Sequence, residues 1–124
     1  MRSVAKKRKK RRRKRSKHPC ELGWRVRWTE EFRHDAVRLG LWRDVKRLLK
    51  ELERSIRDGK GLRELLGNPV IGYTVHRRRR YELRRMYVGK RTARAFYVVR
   101  MDICRVWFVR LMPRTNGLYR HRRW

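Results

Sequence analysis

The chain has 124 residues, of which 40 are Lys or Arg and 11 are Asp or Glu, for a formal net charge of +29. That length fits one domain plus an extension, and a hydrophobic fraction of 40% builds one modest core, which excludes both a purely disordered chain and a multidomain enzyme. No run of about 18 apolar residues occurs, so no membrane span is expected, and a charge excess of this size points to a polyanion, nucleic acid above all, and not to a small-molecule substrate.

The charge is unevenly placed. Residues 1–17 carry 12 Lys or Arg and no acid; residues 18–64 carry 12 basic and nine acidic residues; residues 65–124 carry 16 basic residues against Glu82 and Asp102, so the three nets are +12, +3 and +14. This divides the chain into a basic RNA-binding extension over 1–22, a folded α+β domain over 23–119 and a basic C-terminal tail over 120–124. In the extension, Lys6, Lys7, Arg8, Lys9, Lys10, Arg11, Arg12, Arg13, Lys14, Arg15 and Lys17 are candidate phosphate contacts. A block of this composition buries nothing and repels itself, so it is expected to be disordered until phosphates neutralise it. No apolar stretch follows it, so it does not read as a secretory signal; a nuclear-import signal is the plainer alternative to nucleic-acid contact.

After Gly23 the pattern changes. Trp24-Arg25-Val26-Arg27-Trp28 alternates large apolar residues with Arg and reads as a strand with one buried face. Thr29-Glu30-Glu31 is a good N-cap with acids in the first turn, predicting a helix to about Leu39 that Gly40 ends. Leu41, Val45, Leu48, Leu49, Leu52 and Ile56 recur at spacings of three and four, predicting a second amphipathic helix over roughly 41–58 and hence a helical hairpin. Residues 62–69 read as a short helical turn or loop closed by Gly67-Asn68-Pro69. From Tyr73 the period becomes two, and residues 81–88, 94–100 and 104–111 read as three antiparallel strands in a meander. The expected fold is α+β: an N-terminal strand, a helical hairpin, then an antiparallel meander sheet with helices on one face. Arg84, Arg94, Arg100, Arg105 and Arg110 cannot all be buried, so the opposite face is expected to be rich in Arg. Trp24, Trp28, Trp42, Trp107 and Phe108 are assigned to the core more readily than to base stacking, because a small domain needs large side chains to bury enough area.

Three stretches resemble the RelE/ParE toxin superfamily: Trp24-Arg25-Val26-Arg27-Trp28-Thr29-Glu30-Glu31-Phe32, then Leu83-Arg84-Arg85-Met86-Tyr87-Val88-Gly89 with Arg94-Ala95-Phe96-Tyr97, and last Val109-Arg110-Leu111 with Arg114 and Tyr119. The basic extension is similar to those of archaeal ribosomal proteins. The resemblance implies a RelE-like fold and, in a toxin, cleavage of ribosome-bound mRNA by Arg94, Arg114 and Tyr119. Arg91-Thr92-Ala93 lengthens the hairpin loop, Pro113 precedes Arg114, and Arg114 to Tyr119 is one residue longer than the family spacing. A displacement of about 1 Å costs a catalytic site orders of magnitude in rate, so the fold tolerates these departures better than the chemistry does.

The leading expectation is therefore a structural ribosomal protein, cytoplasmic and resident on the ribosome. It binds ribosomal RNA and touches neighbouring ribosomal proteins, with no cofactor and no required catalysis. Beyond the extension, its RNA-binding residues are Arg77, Arg78, Arg79, Arg80, Arg84, Arg94, Arg114, Arg120, Arg122, Arg123 and Trp124. Phosphate contacts supply affinity and RNA shape supplies specificity. The alternatives are a ribosome-dependent mRNA endoribonuclease toxin with an acidic antitoxin, and a DNA-associated or nuclear basic protein. His18, Cys20, Cys104 and His121 hold only one close pair of potential ligands, so no metal site is expected. Two Cys make no disulfide framework, implying a reducing compartment or incidental thiols. The chain has no Gln and only two Asn, in line with a thermophilic source.

Overall fold

The computed structural model describes residues 18–114. A 3-10 turn, Pro19–Leu22, leads into strand β1, Arg25–Trp28; helices α1, Glu30–Arg38, α2, Trp42–Arg57, and α3, Gly61–Gly67, follow. Strands β2, Val70–His76, β3, Arg79–Val88, β4, Ala93–Arg100, and β5, Arg105–Pro113, complete the domain. The fold is α+β with one five-stranded mixed sheet in the order β1-β5-β4-β3-β2. Strands β2 to β5 form the antiparallel meander, and β1 lies parallel to β5 with Arg25 opposite Arg105 and Trp28 opposite Phe108. Among the described residues no helix is long and apolar enough to cross a membrane.

Local chemistry sets the helix limits. The Thr29 hydroxyl accepts from the Phe32 amide at 3.2 Å, and Glu30 and Glu31 complement the helix dipole. Gly40 then leaves the helical conformation at φ +70°. In α2, Val45, Leu49 and Ile56 form the buried stripe. At Gly61 a Cβ atom would stand 2.8 Å from the Ser55 Oγ and 3.2 Å from the Ile56 amide nitrogen, so the turn between α2 and α3 is this tight only with glycine.

All three helices contribute to one core cluster. It joins Phe32, Ala36, Val45, Leu49, Ile56 and Leu65 to Val26, Val88, Ala95, Tyr97, Val106, Phe108 and Leu111 of the sheet. The rings of Phe32 and Tyr97 lie 5.5 and 5.2 Å from that of Phe108, and the Tyr97 hydroxyl donates to the Leu65 carbonyl at 2.6 Å while accepting from Asn68 Nδ2 at 2.9 Å. Trp28 meets Trp42 edge-on at 5.4 Å, and Trp24 packs on the same cluster. A second, smaller cluster of Leu83, Phe96, Val98 and Met112 occupies the other side of the sheet.

The edge of the sheet on the β1 side is capped by helix side chains. Where β1 ends, Asp35 of α1 reaches the sheet: its Oδ2 accepts from the Leu111 amide at 2.9 Å and from Arg110 Nε at 2.7 Å, and its Oδ1 accepts from Arg38 at 2.8 Å. On β1 itself, the Glu53 carboxylate accepts from the Val26 amide at 2.8 Å.

Two expectations are corrected. The meander has four strands and not three, because Val70–His76 pairs along β3 as an additional edge strand; the sheet is mixed because β1 joins it in parallel. The cysteines are neither free nor incidental: Cys20 and Cys104, 84 residues apart in sequence, form a disulfide. The parallel register of β1 on β5 explains it, since it brings the turn before β1 to the loop that starts β5.

Candidate nucleic-acid interface

The face opposite the helices is built by alternation. Side chains at Arg25 and Arg27 in β1 share a side with Arg105 and Trp107 in β5, their register partners. In β3 and β4 the same side carries Arg85 and Tyr87 against Phe96 and Arg94. Trp107, assigned to the core from the sequence, is thus on this face; Phe108, next to it, is the one in the core.

At one end of this face four guanidiniums converge on one aromatic ring. The Cζ atoms of Arg114, Arg85, Arg91 and Arg94 lie 5.1, 5.4, 5.4 and 5.6 Å from the centre of the Tyr87 ring. Arg85 and Tyr87 come from β3, Arg94 from β4, Arg91 from the turn between them, and Arg114 from the end of β5, where its amide donates to the Thr92 carbonyl at 2.9 Å. Desolvation pushes the Tyr87 phenol up, but the charges of Arg85, Arg94 and Arg114, with a hydrogen bond from Arg94, outweigh it and hold the phenol below its ordinary range. Among the described residues no carboxylate lies within ion-pair distance of Arg85, Arg91 or Arg114. Like charges gathered this closely favour an anion, and the planar forks of Arg suit phosphate oxygens in pairs.

The other predicted residues divide sharply. Arg77, Arg78, Arg79 and Arg80 are all exposed at the β2–β3 hairpin, with Arg77 and Arg78 as its two turn residues. Arg79 lies 3.8 Å from Asp102, and Arg80 stacks on Tyr73 at 4.2 Å. Arg84 stands opposite Tyr97, on the helix side, and donates to the Asn68 carbonyl at 2.7 Å and to Glu82 at 3.0 Å. Arg100 is held by Asp102 at 2.8 Å and lies over the Tyr81 ring. Arg105 donates to the carbonyls of Gly23, Ile103 and Cys104, and burial together with the nearby Arg27 and Arg25 charges lowers its pKa. Arg94 and Arg114, paired by the resemblance, do come together, with Tyr87 between them. Lys6 to Lys17, Tyr119, Arg120, His121, Arg122, Arg123 and Trp124 lie outside the described residues.

Arg85, Tyr87 and Arg91 did not stand out in the sequence as site residues. A period of two puts residues 85 and 87 on one face of β3, but it is the register with β4 that sets them beside Arg94. Among the described residues no cluster of three or more His, Cys, Asp or Glu side chains is arranged to hold a metal ion.

Compared with known proteins, the chain matches no family model, no curated protein and no solved structure.

Proposed function

We propose that the protein is a structural component of the ribosome that binds ribosomal RNA through its basic extension, its hairpin tips and the Arg-rich sheet face, in the cytoplasm and beside neighbouring ribosomal proteins. On this reading the strand-helices-sheet order is a RelE-like arrangement used for binding without required turnover. The observation that carries it is the gathering of Arg85, Arg91, Arg94 and Arg114 around Tyr87, a concentration of positive charge that the phosphates of a polyanion complement. The Cys20–Cys104 disulfide is compatible with a cytoplasmic location, because intracellular proteins of hyperthermophiles are rich in disulfides. The absence of Gln agrees with such a source.

Binding of this kind is strongly salt dependent, because each phosphate contact releases condensed counterions. Titrating structured ribosomal RNA fragments with wild-type protein and with the combined variant Arg85→Ala, Arg94→Ala, Arg114→Ala tests the assignment. The variant is expected to bind at least about tenfold more weakly, with a log–log salt slope shallower by about 2–3. Equal affinity and slope for the two proteins count against the site.

One observation favours a second reading, the mRNA endoribonuclease. An acidified phenol beside Arg94 and Arg114 has the character of a general base next to cations that stabilise a pentavalent phosphate. In that reading Tyr87 takes the part that the resemblance gives to Tyr119. Ribosomes loaded with mRNA separate the two, since mRNA recovered intact supports binding, and mRNA cut by wild type but not by Tyr87→Phe supports turnover.

A further inference from the structure

Among the described residues, five other than glycine have positive φ, and four of them are basic residues at hairpin tips: Arg77 at 50° and Arg78 at 67° between β2 and β3, Lys90 at 56° and Arg91 at 68° between β3 and β4. These are positions at which hairpins normally select Asn and Gly, because a Cβ atom is strained there. Strain kept in the backbone is a mark of function. What all four residues share is an exposed cationic side chain.

The two tips sit at opposite ends of β3. Its ten residues span about 33 Å at ~3.3 Å per residue, which is a little longer than one turn of an A-form RNA duplex, whose pitch is shorter than the about 34–36 Å of DNA. Each tip is joined by further positive charge at its own end of the sheet. The Arg77-Arg78 tip shares its end with Arg79 and Arg100, two cations against the single carboxylate of Asp102, and with the Cys20–Cys104 link. The Lys90-Arg91 tip shares its end with Arg85, Arg94 and Arg114, where the chain leaves toward Arg120, Arg122 and Arg123.

We infer that the domain lies lengthwise on double-helical RNA, with the Arg77-Arg78 and Lys90-Arg91 tips gripping backbone phosphates about one helical turn apart. This rests on the RNA-binding reading above and adds the form of the RNA: a duplex of at least one turn, recognised by its shape and phosphates. Between the tips, the Arg-rich sheet face runs along the duplex.

The test uses the full chain and RNA stem-loops with the same loop and stems of about 6 and about 11 base pairs, the longer one covering a turn. It compares wild type with two variants, Arg77→Asn with Arg78→Gly and Lys90→Asn with Arg91→Gly. Both variants place turn-forming residues where the turns want them, so both retain the fold, which circular dichroism verifies. On the longer stem both tips engage at once, and each variant is expected to lose about tenfold in affinity, with a salt slope lower by about 2. On the shorter stem either tip serves alone, so each variant is expected to lose only about twofold, the statistical factor for one of two equivalent tips. The basic termini are the same in all three proteins and cancel from the ratios. The inference is overturned if each variant loses the same factor on both stems, or if single-stranded RNA of equal length binds as tightly as the longer stem. Failure to bind any RNA overturns the broader reading as well, whereas binding without the dependence on stem length overturns this inference alone.

Discussion

Asp35 is 2% exposed, the one charged residue among the fully buried side chains described. Burial pushes its carboxyl up, but hydrogen bonds from Arg110 and from the Leu111 amide, with Arg38 beside them, outweigh that effect and hold it below the usual carboxylate range. A depressed carboxyl stabilises the fold at every pH above its unfolded value of about 3.9, and that contribution is lost as the pH falls through the folded value. Replacing Asp35 with Asn removes the carboxylate shared by Arg110, Arg38 and the Leu111 amide and is expected to cost about 2–4 kcal/mol at neutral pH. Urea unfolding at a series of pH values checks both points. The wild type is expected to weaken as the pH drops below about 4, and the variant is expected to weaken less over that interval. Curves that stay parallel would falsify the assignment. Little of this arrangement was legible in the sequence. The sequence counted Arg110 among five Arg that cannot all be buried and assigned them to the face opposite the helices, but its partner lies 75 residues away in chain order and only the fold brings α1 to the end of β5. The same holds for Cys20 and Cys104, whose pairing depends on a parallel register that no local pattern reports.

At the scale of elements, the helices were the most legible part because caps and periodicity are local signals. The expected helix over 41–58 corresponds to Trp42–Arg57, and the short turn over 62–69 to Gly61–Gly67. β2 was missed as a separate strand for a physical reason. It is an edge strand in which no residue is fully buried, so it lacks the apolar content of β4, and Pro69 precedes it while Gly72 interrupts it. The run Arg77 to Arg80 gave its charge but not its shape. As a two-residue turn with both φ positive, it opposes its own residue types, whose left-handed conformation costs on the order of 1 kcal/mol each. The variant Arg77→Asn with Arg78→Gly is therefore expected to stabilise the protein by about 1–2 kcal/mol, read as a higher urea midpoint with an unchanged slope. An unchanged or lower midpoint means that the turn is not strained. A gain in stability in the same variant that loses RNA affinity is the trade expected of residues retained for binding.

For the whole molecule, the separation of charge along the chain becomes a separation in space. The acid-rich segment 18–64 supplies most of the helical residues and the edge contacts of Asp35 and Glu53, and the sheet carries most of the uncompensated Arg. Near-neutral helices on one side and a cationic face on the other give the domain a single preferred orientation toward a polyanion. The sequence contained that asymmetry as counts per segment. The convergence on Tyr87 is a different kind of fact: it needs three strand ends and a turn to meet, and only the paired register of β3, β4 and β5 specifies that meeting. The central claim, residence on the ribosome, is tested most directly by sedimenting a native lysate through sucrose gradients at low and high salt and quantifying this chain by mass spectrometry across the fractions. The account predicts stoichiometric recovery on a ribosomal subunit that persists through the high-salt wash. Absence from the ribosomal fractions, or trace recovery together with a small acidic protein, contradicts it.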